Sequence, residues 1–151
     1  VTYGQVRGYS PRDAVYYEPV SYLEGVIEKY VPGDYEFDVP KKLRDLYEAK
    51  DYGNYADKNG KVPVCFLGTN HTTGGNSGSP AIDAHGNLVG LNFDRVWEGT
   101  MSDMNYDPEI CRNIMVDLRY VLFIVDKYAG AKHLIDEMKL VHPKKSNKKK
   151  K

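Results

Sequence analysis

The nine residues from Thr72 to Pro80, TTGGNSGSP, restrict the fold of this chain more than any other segment does. Three glycines surround one serine, Ser77, and a proline closes the run, so the segment has no side chains with which to build a packed face. Glycine adopts backbone conformations that other residues avoid. We therefore predict a loop whose backbone has to follow one specific path.

Two extended segments enclose this loop. Val62–Asn70, VPVCFLGTN, has the composition of a buried strand, and PAIDAHGNLVGLNFD, which follows the loop, is typical of a β-hairpin. The hairpin is predicted to have strands at Pro80–Asp83 and Leu88–Phe93, joined by a turn at Ala84–Asn87. Ser77 is therefore expected in a turn between two strands.

The remainder of the chain combines short strands with helices near its end. Tyr16–Tyr30 fits either a strand or a helix, because its apolar residues satisfy both periodicities. The other predicted elements are strands at Val1–Tyr9 (ended by Ser10-Pro11) and Asn113–Val116, and helices after Pro40 (Lys41–Ala49), at Asp117–Tyr128 (ended by Gly130) and at Lys132–Leu140, the last with Leu134, Ile135 and Met138 facing inward.

The composition is that of one globular domain. The chain has 151 residues, of which 41% are hydrophobic and 28% are charged. No apolar run approaches the ~20 residues that a membrane span needs. The chain begins at Val1, without a methionine or a signal peptide and in the middle of an alternating run, so we expect a piece of a longer protein.

A lysine-rich end contributes to the formal net charge of zero. Six of the 21 basic residues lie among the last eight residues. The rest of the chain has 15 basic and 21 acidic residues and is therefore acidic overall. Such a tail can bind nucleic acid or an anionic membrane, but the rest of the chain offers no basic surface interleaved with aromatic residues. We therefore expect one folded unit at residues 1–142, a solvated and disordered tail at 143–151, and no nucleic-acid partner.

The two cysteines, Cys65 and Cys111, lack the spacing of a zinc site. A disulfide between them is one interpretation, and two buried free thiols are the other. The sequence leaves both open.

The glycine-rich turn suits acyl-transfer chemistry. Successive backbone N–H groups in such a turn can converge on one point and stabilise the charge that develops on an attacked carbonyl oxygen. A serine beside those donors, here Ser77, can be the attacking nucleophile. The short motif alone leaves open a Gly/Ser hairpin loop without chemistry.

A longer stretch of sequence favours the chemical interpretation. Gly75-Asn76-Ser77-Gly78-Ser79-Pro80 fits the G-x-S-G-x-P pattern of chymotrypsin-fold serine proteases. With AIDAHGNLVGLNFDRVWEG and MSDMNYDPEICRNIMVDLRYVLFIVDKYAGAKHLIDEM downstream, it resembles the C-terminal part of a family of bacterial dipeptidyl-peptidases, from about Val1 to about Leu140. The resemblance implies a mainly β fold: the second β-barrel of a chymotrypsin-like double-barrel serine peptidase, with closing C-terminal helices. It also implies a helical domain inserted into the barrels, and the periplasm or cell surface of a Gram-negative bacterium.

The resemblance implies catalytic roles for Ser77 and Gly75. Ser77 is the expected nucleophile, and the backbone N–H groups of Gly75 and Ser77 form the expected oxyanion hole. The nucleophile needs a base, and in the chymotrypsin order the catalytic His and Asp lie far before the serine. We therefore expect the base outside this chain, which is then inert alone. A structural role is expected for all four histidines, His71, His85, His133 and His142.

Four consecutive residues carry the implied substrate contacts. Asn92, Phe93 and Asp94 are expected to line the path of a peptide with a free N-terminus, and Asp94 to hold its α-amino group. Arg95 is expected to pair with the Asp or Glu side chain before the scissile bond, while Asp94 neutralises it in the empty site. The branch of the family that prefers hydrophobic residues has a glycine in place of Arg95. Trp97 is either a wall of the pocket or part of the core.

The implied enzyme needs no metal or organic cofactor. Its partners are the peptide substrate and the remainder of the parent chain (the first barrel and the helical domain), and a homodimer is the expected assembly. Three alternatives remain: the same peptidase with a hydrophobic preference, an endopeptidase of glutamyl type, and a non-catalytic peptide-binding barrel in which Ser77 is idle.

Overall fold

The structure, a computed structural model, describes residues 1–141. Its strands are β1 (Tyr9–Arg12), β2 (Val15–Tyr17), β3 (Val20–Tyr22), β4 (Pro63–Gly68), β5 (Pro80–Ile82), β6 (Leu88–Arg95) and β7 (Asn113–Asp117). Its helices are α1 (Leu23–Glu28), α2 (Lys41–Glu48), α3 (Leu118–Phe123) and α4 (Lys132–Asp136), with a 3-10 helix at Trp97–Asp103 and a π-helical segment at Ile124–Tyr128. The predicted tail at 143–151 lies outside the described residues.

Most of the strands form one antiparallel sheet. Its order is β3-β4-β7-β6-β5, and β1 and β2 form a separate hairpin. The predicted mainly β architecture with a few helices is confirmed. Within residues 1–141 this sheet is open, with β3 and β5 at its edges, so the closed second barrel of a double-barrel peptidase stays a prediction.

The main core joins the helices to the long connection between α2 and β4. Phe123 of α3 is fully buried and packs edge-to-face on Tyr52, with ring centroids 6.2 Å apart. Leu23, Leu43 and Ile135 bring α1, α2 and α4 to the same cluster. Because the four helices share these contacts, they are held together as one unit beside the sheet.

The strands around the glycine-rich loop are confirmed. β4 lies within the predicted Val62–Asn70, and β5 and β6 form the predicted hairpin, across a turn at residues 83–87. β6 runs two residues beyond its predicted end, to Arg95. The predicted strand at Asn113 and the helix after Pro40 are also present.

The strand predicted at Val1–Tyr9 is wrong. Within that stretch Val6 forms a single bridge with Gly68, and the regular strand begins only at Tyr9. That strand, β1, contains Pro11, which was expected to end it. Proline is tolerated because β1 is paired on one side only, and an edge strand can lack one N–H donor.

The helical predictions are confirmed in part. Tyr16–Tyr30, which fitted either a strand or a helix, contains both: the strand β3 is followed directly by the helix α1. The last helix is shorter than predicted and ends at Asp136, so that Ile135 is buried whereas Leu134 and Met138 are exposed. A helix of little more than one turn has room for only one inward position.

The cysteines are both free thiols, so the disulfide alternative is wrong. Burial raises the pKa of the Cys65 thiol, which keeps it in its less reactive protonated form. Among the helices of residues 1–141, none has the length and apolar character needed to cross a bilayer.

Candidate active site

Two consecutive β-turns form the loop that carries Ser77. In the first, the Asn76 N–H donates to the carbonyl of Thr73 over 3.2 Å, and in the second the Ser79 N–H donates to the carbonyl of Asn76 over 3.0 Å. The third position of each turn is a glycine at positive φ, Gly75 at 96° and Gly78 at 86°. Turns with positive φ at this position favour glycine, which explains why the sequence places glycines there.

The loop is attached to β6 through Asn92. The Gly78 N–H donates to the Asn92 carbonyl over 2.7 Å, and the Asn92 N–H donates to the Ser79 carbonyl over 2.9 Å. The side-chain Nδ2 of Asn92 donates to the carbonyl of Asn76 over 3.3 Å. Asn92 is 7% exposed, and its Oδ1 is buried without a hydrogen-bond partner among the described residues.

The backbone donors of the loop divide into two groups. Those of Asn76, Gly78 and Ser79 are occupied by the hydrogen bonds above. Those of Gly75 and Ser77 donate to no acceptor within residues 1–141. Two N–H groups beside an exposed serine are therefore available to a bound oxygen, as an oxyanion hole requires.

A β-bulge places the backbone of Phe93 next to Ser77. In the β6–β7 ladder Asn92 pairs with Met115 and Asp94 pairs with Ile114, so Phe93 is one residue too many. Bulges of this kind occur next to active sites, where they change the direction of side chains. Phe93 lies outside the ladder, and its carbonyl accepts a hydrogen bond from the Ser77 hydroxyl over 3.3 Å.

One shallow cleft of about 100 Å³ brings most of the predicted site residues together. Its lining residues are Thr72, Thr73, Gly74, Ser77, Asn92, Phe93, Asp94 and Arg95. The predicted nucleophile and all four predicted substrate-binding residues thus border one space. Gly75 does not line it but directly follows the lining residue Gly74 in the chain. Trp97 does not line this cleft and is 85% exposed, so its assignment to the core is wrong.

Arg95 has a different partner from the one expected. Its Nη1 and Nη2 donate to Oδ1 and Oδ2 of Asp103, each over 2.9 Å, and Nη1 also donates to the hydroxyl of Ser102. Asp94 was expected to neutralise Arg95, but its Oδ1 accepts the backbone N–H of Arg95 over 2.8 Å. Asp94 acts on the guanidinium through its charge only, because the 3-10 helix after β6 presents Asp103 directly to the Nη1 and Nη2 donors.

The Arg95–Asp103 pair changes the protonation equilibria of both groups. The hydrogen bond from Arg95 lowers the pKa of the Asp103 carboxyl, and the same bond raises the pKa of Arg95. The Thr73 hydroxyl also lowers the pKa of Asp103. Sequence reasoning missed Asp103, although a guanidinium in an empty pocket requires some carboxylate partner and Asp103 lies only eight residues after Arg95.

No histidine of the described residues forms a hydrogen bond with Ser77. The ring of His71 packs against that of Tyr106 at a tilted angle of 57°, with ring centroids 4.9 Å apart. The backbone N–H of His85 donates to Asp83 in the hairpin turn. His133 lies on α4, and His142 is outside the described residues. Within residues 1–141, Ser77 has no histidine as a hydrogen-bond partner. The same residues hold no cluster of three His, Cys, Asp or Glu side chains that could bind a metal.

The chain is similar to known proteins in sequence and in fold. The model of the peptidase S46 family matches residues 1–140. The chain is 80% identical, over 145 residues and 96% of its length, to the Asp/Glu-specific dipeptidyl-peptidase of Flavobacterium psychrophilum. It is 74% identical, over 141 residues and 93% of its length, to the Asp/Glu-specific dipeptidyl-peptidase of Capnocytophaga gingivalis. It is also similar to the crystal structure of Porphyromonas endodontalis DPP11 in complex with the dipeptide Arg-Glu, with a TM-score of 0.88, 56% identity and 90% of this chain covered. In each comparison the chain spans 20% of the length of the relative.

Proposed function

This chain belongs to the peptidase S46 family, as the resemblance predicted, and we propose that it supplies the nucleophile and the specificity pocket of a serine-type dipeptidyl-peptidase. The enzyme releases N-terminal dipeptides whose second residue is Asp or Glu. The observation that carries this proposal is the shared cleft of Ser77 and Arg95. An exposed hydroxyl beside two available N–H groups and a guanidinium is what cleavage after an acidic residue needs.

The chemical step begins at Ser77. Its Oγ attacks the carbonyl carbon of the second residue, and the N–H groups of Gly75 and Ser77 receive the negative oxygen. The amine of the shortened peptide leaves, and water then hydrolyses the acyl-enzyme. The proton of the Ser77 hydroxyl passes to a histidine oriented by an aspartate, both supplied by the first barrel of the longer protein.

Arg95 supplies the preference for an acidic residue. A carboxylate meets a guanidinium through two parallel hydrogen bonds, and Arg95 is held near Ser77 by the rigid backbone of β6. Because Asp103 already pairs with Arg95 in the empty cleft, an uncharged substrate does not leave an isolated buried cation. We therefore expect acidic residues to be preferred strongly, with slow residual cleavage after uncharged ones.

Asp94 limits cleavage to dipeptides. Its Oδ1 accepts the Arg95 N–H, and its Oδ2 has no hydrogen-bond donor within residues 1–141. This free oxygen can bind the α-ammonium group of the substrate next to Arg95. An ammonium held at a constant distance from Ser77 places the second peptide carbonyl at the nucleophile.

The remainder of the enzyme completes the site. The first barrel carries the catalytic histidine and aspartate, the helical domain adds contacts to the substrate amine, and two copies form a homodimer. The enzyme works in the periplasm or at the cell surface, where peptides with free N-termini are available.

The proposal is tested with two chromogenic dipeptides that have free N-termini, one ending in Asp and one in Leu. The full-length peptidase containing this segment is expected to cleave the Asp substrate, while the segment alone cleaves neither. A fluorophosphonate is expected to label the full-length protein but not its Ser77→Ala variant. Faster cleavage of the Leu substrate would favour a hydrophobic preference, and equal cleavage of both would favour a broad one. Absence of labelling would favour a non-catalytic barrel.

A further inference from the structure

The guanidinium of Arg95 is only partly occupied by its partners in the protein. An arginine has five N–H donors. Asp103 and Ser102 accept both donors of Nη1 and one donor of Nη2. The Nε–H and the second donor of Nη2 have no acceptor within residues 1–141. These two donors lie on the same edge of the planar group, so one complete fork is open.

A second arginine in the chain shows that this edge can hold a carboxylate. Arg119 donates from Nε to Oδ1 of Asp117 over 2.9 Å and from Nη2 to Oδ2 over 2.7 Å. Asp103 instead occupies the Nη1/Nη2 edge of Arg95. The two modes use different edges, and one guanidinium can satisfy both at once.

We propose that Arg95 binds two carboxylates simultaneously, with Asp103 on its Nη1/Nη2 edge and the acidic side chain of the substrate on its Nε/Nη2 edge. Asp103 is then a positioning residue for specificity. It stays in place when the substrate binds and, together with Ser102, holds the plane of the guanidinium so that the open edge faces the cleft. This inference rests on the proposed function, because it requires an acidic substrate.

The charges around Arg95 make this positioning necessary. Asp94 and Asp103 already surround one cation, so the incoming carboxylate meets no excess of positive charge from these residues. Asp103 is also about half exposed, with 47% of its side chain accessible, and water weakens its repulsion of the substrate. The affinity for an acidic side chain therefore depends on the alignment of the open fork more than on net charge.

The test uses the full-length peptidase and two substrates that differ only in Glu or Gln at the second position. The measured quantity is the ratio of kcat/KM for Glu over Gln. We expect Asp103→Ala to lower this ratio about tenfold, mainly through a higher KM for Glu, and Asp103→Asn to lower it about threefold, because one acceptor remains. Glu109→Gln removes a negative charge from the same connection without touching Arg95 and is expected to leave the ratio unchanged.

Each other outcome decides against the proposal. An equal loss for both substrates would assign Asp103 a purely structural role, and a higher ratio in Asp103→Ala would show that its charge repels the substrate more than its hydrogen bonds help. A wild-type ratio near one would refute the proposed function itself, and this inference with it. A crystal structure with a product dipeptide ending in Glu gives a second readout: displacement of Asp103 from Arg95 would overturn the two-carboxylate arrangement even if the preference for Glu holds.

Discussion

The side-chain amide of Asn92 donates to the carbonyl of Asn76, the residue directly before Ser77. The backbone of Asn92 holds the same turn through its own N–H and carbonyl groups. One buried residue of β6 therefore makes three hydrogen bonds to the loop that carries Ser77. The position of Ser77 is determined by a strand of the sheet, which is more rigid than the loop itself.

Replacing Asn92 by alanine is expected to lower kcat roughly fivefold with little change in KM, since one lost hydrogen bond is worth about 1 kcal/mol and the loop that it holds carries Ser77 and the Gly75 N–H. Steady-state kinetics of the full-length peptidase on an acidic dipeptide measure this. Asn87→Ala removes a comparable bond to Asp83 in the hairpin turn and serves as the control. A higher KM with kcat unchanged would show that Asn92 contacts the substrate instead.

Gly75→Ala is expected to lower kcat without a direct clash. A Cβ at this position meets no atom within 4 Å, but φ is 96°, and a side chain there costs about 1–2 kcal/mol or shifts the turn. Gly60→Ala, at a φ of 77° in a turn away from the cleft, is the matched control and should reduce only stability. Comparable losses of kcat in both variants would contradict the role of the Gly75 N–H.

Replacement of Arg95 is expected to change the preferred substrate. Arg95→Gly should shift cleavage from acidic to hydrophobic residues, and Arg95→Lys should keep a weakened acidic preference, because an ammonium lacks the planar fork. Arg119→Lys changes an arginine that is paired with Asp117 instead and should leave the preference unchanged. The measurement is kcat/KM for substrates ending in Asp, Glu and Leu; an unchanged profile in Arg95→Gly would refute the acidic pocket.

The two neighbouring apolar residues of α4 should differ sharply in their effect on stability. Ile135 is 4% exposed and Leu134 is 44% exposed. Ile135→Ala is expected to lower the free energy of unfolding by about 2–5 kcal/mol, and Leu134→Ala by less than about 1 kcal/mol. Urea denaturation followed by tyrosine fluorescence tests this, and equal effects would contradict the burial pattern of the short helix.

Tyr55 is expected to make stability depend on pH at alkaline values. Burial, followed by its hydrogen bond to Asp126, raises the pKa of Tyr55 to about 12. Since this pKa is higher in the folded state than in the unfolded state, the contribution is complete below the unfolded pKa of about 10 and is lost as the pH rises toward 12. The free energy of unfolding should fall less between pH 8 and 12 in Tyr55→Phe than in the wild type. Parallel curves for the two proteins would show that Tyr55 does not contribute to this pH dependence.

Local sequence patterns predicted the strands next to the cleft because their signals are strong. The glycines of the loop, the alternation of β6 and the turn at residues 83–87 each have one dominant structural solution. Val1–Tyr9 alternates just as clearly, but regular pairing needs a neighbouring strand along its length, and before Tyr9 only Val6 pairs, in a single bridge with Gly68. Periodicity describes what a segment can do, whereas pairing depends on the rest of the fold.

Sequence patterns predicted which residues line the candidate cleft, but they did not predict that Asp103 is the hydrogen-bond partner of Arg95. Ser77, Asp94 and Arg95 border the same cleft as expected. The partner of Arg95 was assigned to Asp94 because the two are adjacent in sequence, yet the 3-10 helix brings in Asp103. A helix of this kind has no distinct periodic signal, so a contact across eight residues could not be derived from the pattern.

The extra residue at Phe93 determines which charge enters the pocket. β6 pairs Asp94 with Ile114 and Arg95 with Asn113. In a regular ladder without the bulge, Phe93 would pair with Ile114, and Asp94 would lie opposite Asn113 in the position that Arg95 now holds. The charge at this position therefore depends on one unpaired residue: closing the bulge would exchange a cation for an anion without altering either side chain.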